Sequence, residues 1–218
     1  MQNPNTGADV VVTSPVTVIE FLLDETGSMN RYKSAVIGGF NTFLSEQKAT
    51  PGDCRFSLTK FDTSGIKTPY VDLDLAIVPN LNTDTFIPGS NTNLRDSIGQ
   101  RIQAIETRLA KWDTKPNVLM IVMTDGDDNG SRHFSEPAIA SMLASKMEQG
   151  WTFVYLGADQ NATVIASRLG FLPDNIKSFA SSEMEETMTQ MSHATTSYRS
   201  TRMAGDTKSY ASYFAGDK

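Results

Sequence analysis

The sequence predicts a three-layer α/β domain with a central, mostly parallel sheet, helices on both faces and one antiparallel edge strand. Three observations carry that expectation. Strand-like and helix-like stretches alternate along most of the chain, the pattern that builds a parallel sheet covered on both sides. NVLMIVMTD (117–125) is nearly unbroken in apolar residues, as a strand buried on both faces must be. Only RFSLTKFD and KTPYVDLDLA are joined by a link as short as the turn-like TSG, which favours one antiparallel pair.

PVTVIEFLLD (15–24), rich in β-branched and apolar residues, reads as the first buried strand. NRYKSAVIGGFNTFLSEQ (30–47) follows as a helix, with Tyr32, Val36, Phe40, Phe43 and Leu44 at helical spacing before PGDC breaks it. After the hairpin, residues 79–93 are loop chemistry. LRDSIGQRIQAIETRLAKW (94–112) places Leu94, Ile98, Ile102, Ile105 and Leu109 on one stripe. Beyond the 117–125 strand, SEPAIASMLASKMEQG reads as a helix with Pro137 in its first turn and Gly150 past its end. WTFVYLG is a further strand. ADQNATVIASRLG is a short helix with Asp159 as N-cap and Gly170 as stop. NIKSFA reads as an edge strand. SSEMEETMTQMSHATTSYRS is the last helix, opened by the capping-box pattern Ser182-Glu183-Met184-Glu185, with Met184, Met188 and Met191 as core. The expected organisation is a lead-in over 1–14, one domain over 15–202 and a tail over 203–218, either mobile or packed on the surface.

The 218 residues are enough for a sizeable core. A net charge of −6 argues against nucleic acid or an anionic membrane as partner, because both ask for a basic surface. The single cysteine, Cys54, excludes an internal disulfide and reads as a small core hydrophobe in a reducing compartment. No stretch resembles a secretory leader or approaches the roughly 18 apolar residues of a membrane span. A soluble, cytoplasmic protein is the expectation.

Chemistry concentrates in three loops: Asp24-Glu25-Thr26-Gly27-Ser28 after the first strand, Ser90-Asn91-Thr92-Asn93-Leu94 before a helix, and Thr124-Asp125-Gly126 after a central strand. Each follows a forward strand or precedes a returning helix, so all three belong to one edge of the sheet. Ligands bind there, near the point where strand order reverses. The loops offer carboxylates and hydroxyls without His or Cys, which suits a hard cation such as Mg²⁺, Mn²⁺ or Ca²⁺.

These residues resemble the von Willebrand factor A domain, a Rossmann-like fold, and its metal-ion-dependent adhesion site. The family's Asp-x-Ser-x-Ser is matched by Asp24-Glu25-Thr26-Gly27-Ser28, its Thr-Asn-Leu by Thr92-Asn93-Leu94, and its Thr-Asp-Gly by Thr124-Asp125-Gly126. GWTFVYLGADQNATVIASRLGF is similar to small stand-alone members from bacteria and phages. The resemblance implies a non-enzymatic, divalent-cation-dependent protein-binding module. Thr26, Ser28 and Thr92 would offer hydroxyl oxygens to the metal, with Asp24 and Asp125 bound directly or through water, and a partner's carboxylate would complete the coordination. It also implies, by association, an AAA+ ATPase as partner. Self-association through Asp206 or Asp217 of the tail is a further option. Two departures stand out. Thr26 carries a methyl group where the family has Ser, and Ser90-Asn91 replaces Gly-Gly, which puts the path of that loop in question.

An alternative comes from enzymes. Asp24-Glu25-Thr26-Gly27-Ser28 also resembles the phosphorylation motif of haloacid-dehalogenase-like phosphotransferases, with Asp24 as nucleophile and Asp125 on Mg²⁺. Against it, Thr26 stands where that family has an acid/base Asp, the required Lys has no convincing position, and Thr92 is left without a role. Asp127, Asp128 and Asn129 read as a solvated turn, His133 and His193 as surface or capping residues, and Lys60, Lys67 and Arg95 as surface charges.

Overall fold

Strand β1 (Thr17–Asp24) is buried along its whole length and forms the middle of the sheet. Its side chains alternate between two cores: Ile19, Phe21 and Leu23 enter one, Val18 and Leu22 the other. In the computed structural model, which describes residues 15–158, 161–206, 208 and 211–214, six strands lie in the order β3-β2-β1-β4-β5-β6. The remaining strands are β2 (Cys54–Asp62), β3 (Gly65–Asp74), β4 (Asn117–Thr124), β5 (Thr152–Ala158) and β6 (Ile176–Phe179). Every pairing is parallel except β2 with β3. The expected single antiparallel edge strand is therefore β3.

The helices are α1 (Lys33–Ala49), α2 (Leu94–Leu109), α3 (Glu136–Glu148), α4 (Ala162–Arg168) and α5 (Met184–Met203). Helices α1 and α5 cover one face. Val36, Phe40, Phe43 and Leu44 pack there with Met184, Met188 and Met191. Gly39 permits this closeness, since a Cβ there would lie 2.6 Å from Met188 Cγ. Helices α2, α3 and α4 cover the other face through Ile98, Ile102, Ile139, Leu143 and Ala166. Burying one such aliphatic or aromatic side chain contributes about 1.5–3 kcal/mol, so the two apolar stripes hold the three layers together. Among the described residues no helix is long and apolar enough to cross a membrane.

Some local expectations shift. The first helix opens with a 3₁₀ turn, Gly27–Tyr32, before α1 begins. Helix α5 is also preceded by a 3₁₀ turn, Ser181–Glu183, and the capping carboxylate is Glu183, which accepts the Ala180 N–H at 3.1 Å. The last helix reaches Met203, into the segment expected as tail. Tyr213 of that tail is buried; its N–H donates to Asn175 Oδ1 at 3.0 Å. The lead-in over 1–14, the Asp159 cap and Asp217 lie outside the described residues.

One feature of β1 breaks the apolar pattern. Glu20 is buried mid-strand and pairs with Arg101 at 2.9 Å and with Arg108, both from α2. Ser57 Oγ donates to the same carboxylate at 3.1 Å. The cations arrive from a helix far along the chain, so nothing local to PVTVIEFLLD announces them.

The order of the strands places the site. The chain runs from β1 to β2 on one side and later returns to β4 on the other. The reversal lies between β1 and β4, whose carboxyl ends carry Asp24 and Thr124-Asp125.

Candidate metal centre

Asp24 ends β1 with no exposure to solvent. One carboxyl oxygen accepts the Thr26 N–H at 2.7 Å, which curls the chain back over the strand end. The other accepts Thr124 Oγ1–H at 2.5 Å from the neighbouring strand. Thr124 is a brace the sequence reading missed; its place beside Asp24 follows only from β1 pairing with β4. Burial, offset in part by bonds from Thr124 and Thr26, pushes the Asp24 carboxyl up to about 6. The nearby Asp125 adds to the rise. A carboxylate so placed is short of positive charge.

The Thr26 and Ser28 hydroxyls lie 3.2 Å apart, and Ser28 Oγ donates to Asp125 Oδ1 at 2.6 Å. Octahedral Mg²⁺ with oxygens at about 2.1 Å has neighbouring ligands about 3 Å apart. These oxygens thus already stand near the spacing of an octahedron's edges. Ser28 is exposed at the mouth, so an approaching group can reach the set from solvent.

The second loop is tied to the first by backbone bonds: Gly27 N–H to Ser90 O at 3.1 Å and Gly89 N–H to Glu25 O at 2.8 Å. Ser90 adopts φ +63°, the left-handed region that glycine enters at least cost. A serine therefore takes a conformation natural to the family's glycine, and its side chain bonds Thr63 Oγ1. Thr92 then points inward, 4% exposed, and among the described residues its Oγ1 has no hydrogen-bond partner. A Cβ at Gly126 would lie 3.5 Å from that oxygen, so glycine leaves the space beside it open. An unpaired hydroxyl beside Gly126, the neighbour of Asp125, together with the Asp24, Thr26, Ser28 and Asp125 oxygens makes a donor set that fits a hard cation. The residues that would hold the ion are Asp24, Thr26, Ser28, Thr92 and Asp125.

The residues around the set differ from expectation in three places. Asn129 is exposed, as expected of a solvated turn, but it also holds Thr92: its Oδ1 accepts the Thr92 N–H at 2.9 Å and its N–H donates to Thr92 O at 3.1 Å. Asp128 binds Arg95 through the backbone N–H at 2.7 Å and through Nε at 3.1 Å. Lys60 is not a surface charge. It pairs with the buried Glu25 at 2.6 Å and donates to Thr85 O at 2.6 Å. Glu25 also accepts the Ile87 N–H at 2.9 Å, so it ties the second loop to the first. Asp127 of the 127–129 turn is exposed, and among the described residues its carboxylate has no partner. Arg31, half exposed, pairs with Asp125 at 3.3 Å. Among the described residues no three His, Cys, Asp or Glu side chains cluster as metal ligands; the set here has two carboxylates and three hydroxyls.

No family model matches the chain, and no curated protein matches it. Solved structures match in fold. The pilus adhesin SpaC of Lactobacillus rhamnosus GG superposes with TM-score 0.62 at 15% identity, over 85% of this chain and 30% of its own. A von Willebrand factor type A protein of Catenulispora acidiphila gives 0.52 at 15%, over 84% and 43%. The manganese-loaded TRAP protein of Plasmodium vivax gives 0.52 at 14%, over 80% and 72%. This chain thus spans less than half the length of the first two. The likenesses show the fold alone: a Rossmann-like α/β fold of the von Willebrand factor A type. The phosphotransferase alternative gains no support. Lys115 precedes β4 at the sheet edge opposite Asp24, and position 26 offers no acid.

Proposed function

We propose that the protein is a divalent-cation-dependent protein-binding module whose ion, Mg²⁺ or else Mn²⁺ or Ca²⁺, captures an acidic residue of a partner. The observation that carries this reading is the Ser28 hydroxyl, spaced for shared coordination between Thr26 Oγ1 and Asp125 Oδ1, with the unpaired Thr92 hydroxyl close by. When bound, the ion would supply a Lewis-acidic position for one outside oxygen. The chain's own residues do the rest. Thr26, Ser28 and Thr92 present neutral oxygens, and Asp24 and Asp125 supply two negative charges. A divalent ion held by so few charges retains affinity for a further anion.

So read, the protein recognises and does not catalyse. That the TRAP structure is manganese-loaded supports testing Mn²⁺ beside Mg²⁺. Partner classes are an acidic surface on another protein, an AAA+ ATPase among them, or a second copy of this chain. Asp206 cannot reach the ion within its own chain. It follows α5, whose Arg202 bonds Asp206 O, Gly150 O and Thr152 at the opposite edge of the sheet.

Calorimetric titration with Mg²⁺ and Mn²⁺ tests the ion. Saturable binding by the wild type, lost in Asp125→Ala, is expected; absence of binding overturns the reading. Affinity capture with and without chelator tests the partner, and the expected outcome is a specific protein retained only with metal. Hydrolysis of p-nitrophenyl phosphate that depends on Asp24 would replace this reading with phosphotransfer.

A further inference from the structure

A second cavity opens beside Asp125, between the carboxyl ends of β4 and β5. Its volume is about 160 Å³, and Asp125, Asp127, Tyr155, Asn161 and Ile165 line it. That is below the ~300 Å³ where drug-sized ligands begin and about five waters at ~30 Å³ each. It is the room one side chain takes. Gly157 lets α4 close on β5 at the cavity's floor, since a Cβ there would lie 2.4 Å from Ala162 Cβ and 2.7 Å from the Tyr155 ring.

Tyr155 is 1% exposed, with its ring edge-on to Phe171 at 5.1 Å. Among the described residues its hydroxyl has no hydrogen-bond partner. Burial first, then the charges of Asp24 and Asp127, push its phenol above the ordinary range, so the hydroxyl stands in the field of both carboxylates. The ring is buried, and Tyr155 lines the cavity, so its unpartnered hydroxyl is open to a visitor there. Asp127 has no ion pair among the described residues; Arg95 and Arg168 share an adjoining pocket with it, but among the described residues no Lys, Arg or His lines this cavity. A visitor that donates hydrogen bonds and brings positive charge suits these walls best. Ile165 and Ala162 offer an apolar wall for an alkyl stem, the arrangement long basic side chains favour.

We propose that this cavity is a subsite for a basic side chain, lysine or arginine, of the protein partner. Asp127 pairs with the cation and Tyr155 Oη accepts one of its hydrogens. Placement next to the partner's carboxylate rests on the metal-binding reading; the cavity's preference for a cationic alkyl group does not.

Amide NMR on the full chain tests it with n-butylammonium as probe and n-butanol as its neutral match, both in EDTA. Butylammonium is expected to shift the Gly126, Gly157 and Ala158 amides saturably, with butanol at least fivefold weaker. Tyr155→Phe and Asp127→Asn, both conservative, should each weaken butylammonium at least threefold while leaving the rest of the spectrum unchanged. With Mg²⁺ added, acetyl-Asp-Lys-amide should bind at least tenfold tighter than acetyl-Asp-norleucine-amide. Equal binding of butanol, shifts away from these amides, or indifference to Asp127→Asn overturns the proposal. Mg²⁺ alone reports on the other reading. If Ser28 and Thr92 amides move with Mg²⁺ but butylammonium does not bind, the subsite fails alone. If butylammonium binds and Mg²⁺ moves nothing, the subsite stands and the metal reading fails.

Discussion

Replacing Asp24 by Asn should stabilise the metal-free protein. The carboxyl is held at about 6 instead of 3.8, chiefly by burial. At about 1.4 kcal/mol per pH unit, that costs the folded chain about 3 kcal/mol at pH 7. Asn removes the charge. Its amide oxygen can still accept the Thr26 N–H, and its NH₂ can donate to Thr124 Oγ1 once that hydroxyl turns; the rearrangement forfeits about 1 kcal/mol. The net gain is about 2 kcal/mol, or roughly 4–8 °C in Tm for a chain of this size. The sign also depends on pH. A raised folded pKa means the proton stabilises the fold, so wild-type stability from this group is present below pH 3.8 and lost as pH rises through about 6. The advantage of Asp24→Asn should therefore be near zero at pH 4 and reach its plateau above pH 6. Thermal melts in EDTA from pH 4 to 8 measure this. With Mg²⁺ at a thousandfold excess over Kd the wild type should gain about 4 kcal/mol and the variant none, reversing the order. A variant less stable than wild type in EDTA at pH 7, or a difference that ignores pH, would overturn this account of Asp24.

Thr92→Val, which keeps the branched shape and removes only a hydroxyl without a hydrogen-bond partner among the described residues, should leave the EDTA melting temperature within a degree or two yet weaken Mg²⁺ at least tenfold by calorimetry. Arg31→Gln removes the cation that competes for Asp125; Mg²⁺ should bind about two- to fivefold tighter, the size of a half-exposed ion pair. Glu20→Gln strands Arg101 and leaves Arg108 only the more distant Asp72 at 3.9 Å, and should cost about 3–5 kcal/mol in urea unfolding. Asp96 accepts the N–H groups of Arg132, His133 and Phe134 at 2.8–3.0 Å. Burial alone would raise its carboxyl, but these bonds and His133 hold it below the usual range. Its contribution is present above pH 3.8 and lost as pH falls through the lower folded value. Asp96→Asn should cost about 1.5–3 kcal/mol at pH 7, and acid titration of both proteins should show the gap closing below about pH 4.

The chain was most legible where the physics is local. Runs such as NVLMIVMT and the stripes through Phe40 or Ile102 declare strand and helix because burial repeats at the period of the backbone. Those patterns carried the element order, the antiparallel edge and the sheet edge where Asp24, Thr92 and Asp125 gather. Boundaries were less legible. Helix α4 spans only Ala162–Arg168, and a 3₁₀ turn precedes α1, because helix ends depend on what caps or covers them.

From the sequence alone came the layers and the chemical type of the candidate site: oxygen donors, two acids, no nitrogen or sulfur. Which groups answer them emerged only in the folded chain. Thr124 braces Asp24, Asn129 holds Thr92, Lys60 serves Glu25, and Arg101 and Arg108 neutralise Glu20. The Tyr155 hydroxyl gained its significance only when β5 and α4 closed around it. The reason is range. Burial follows from a residue's own side chain and its period, whereas a charge or hydroxyl is defined by its partner, and the fold draws that partner from 35 to 100 residues away in these cases.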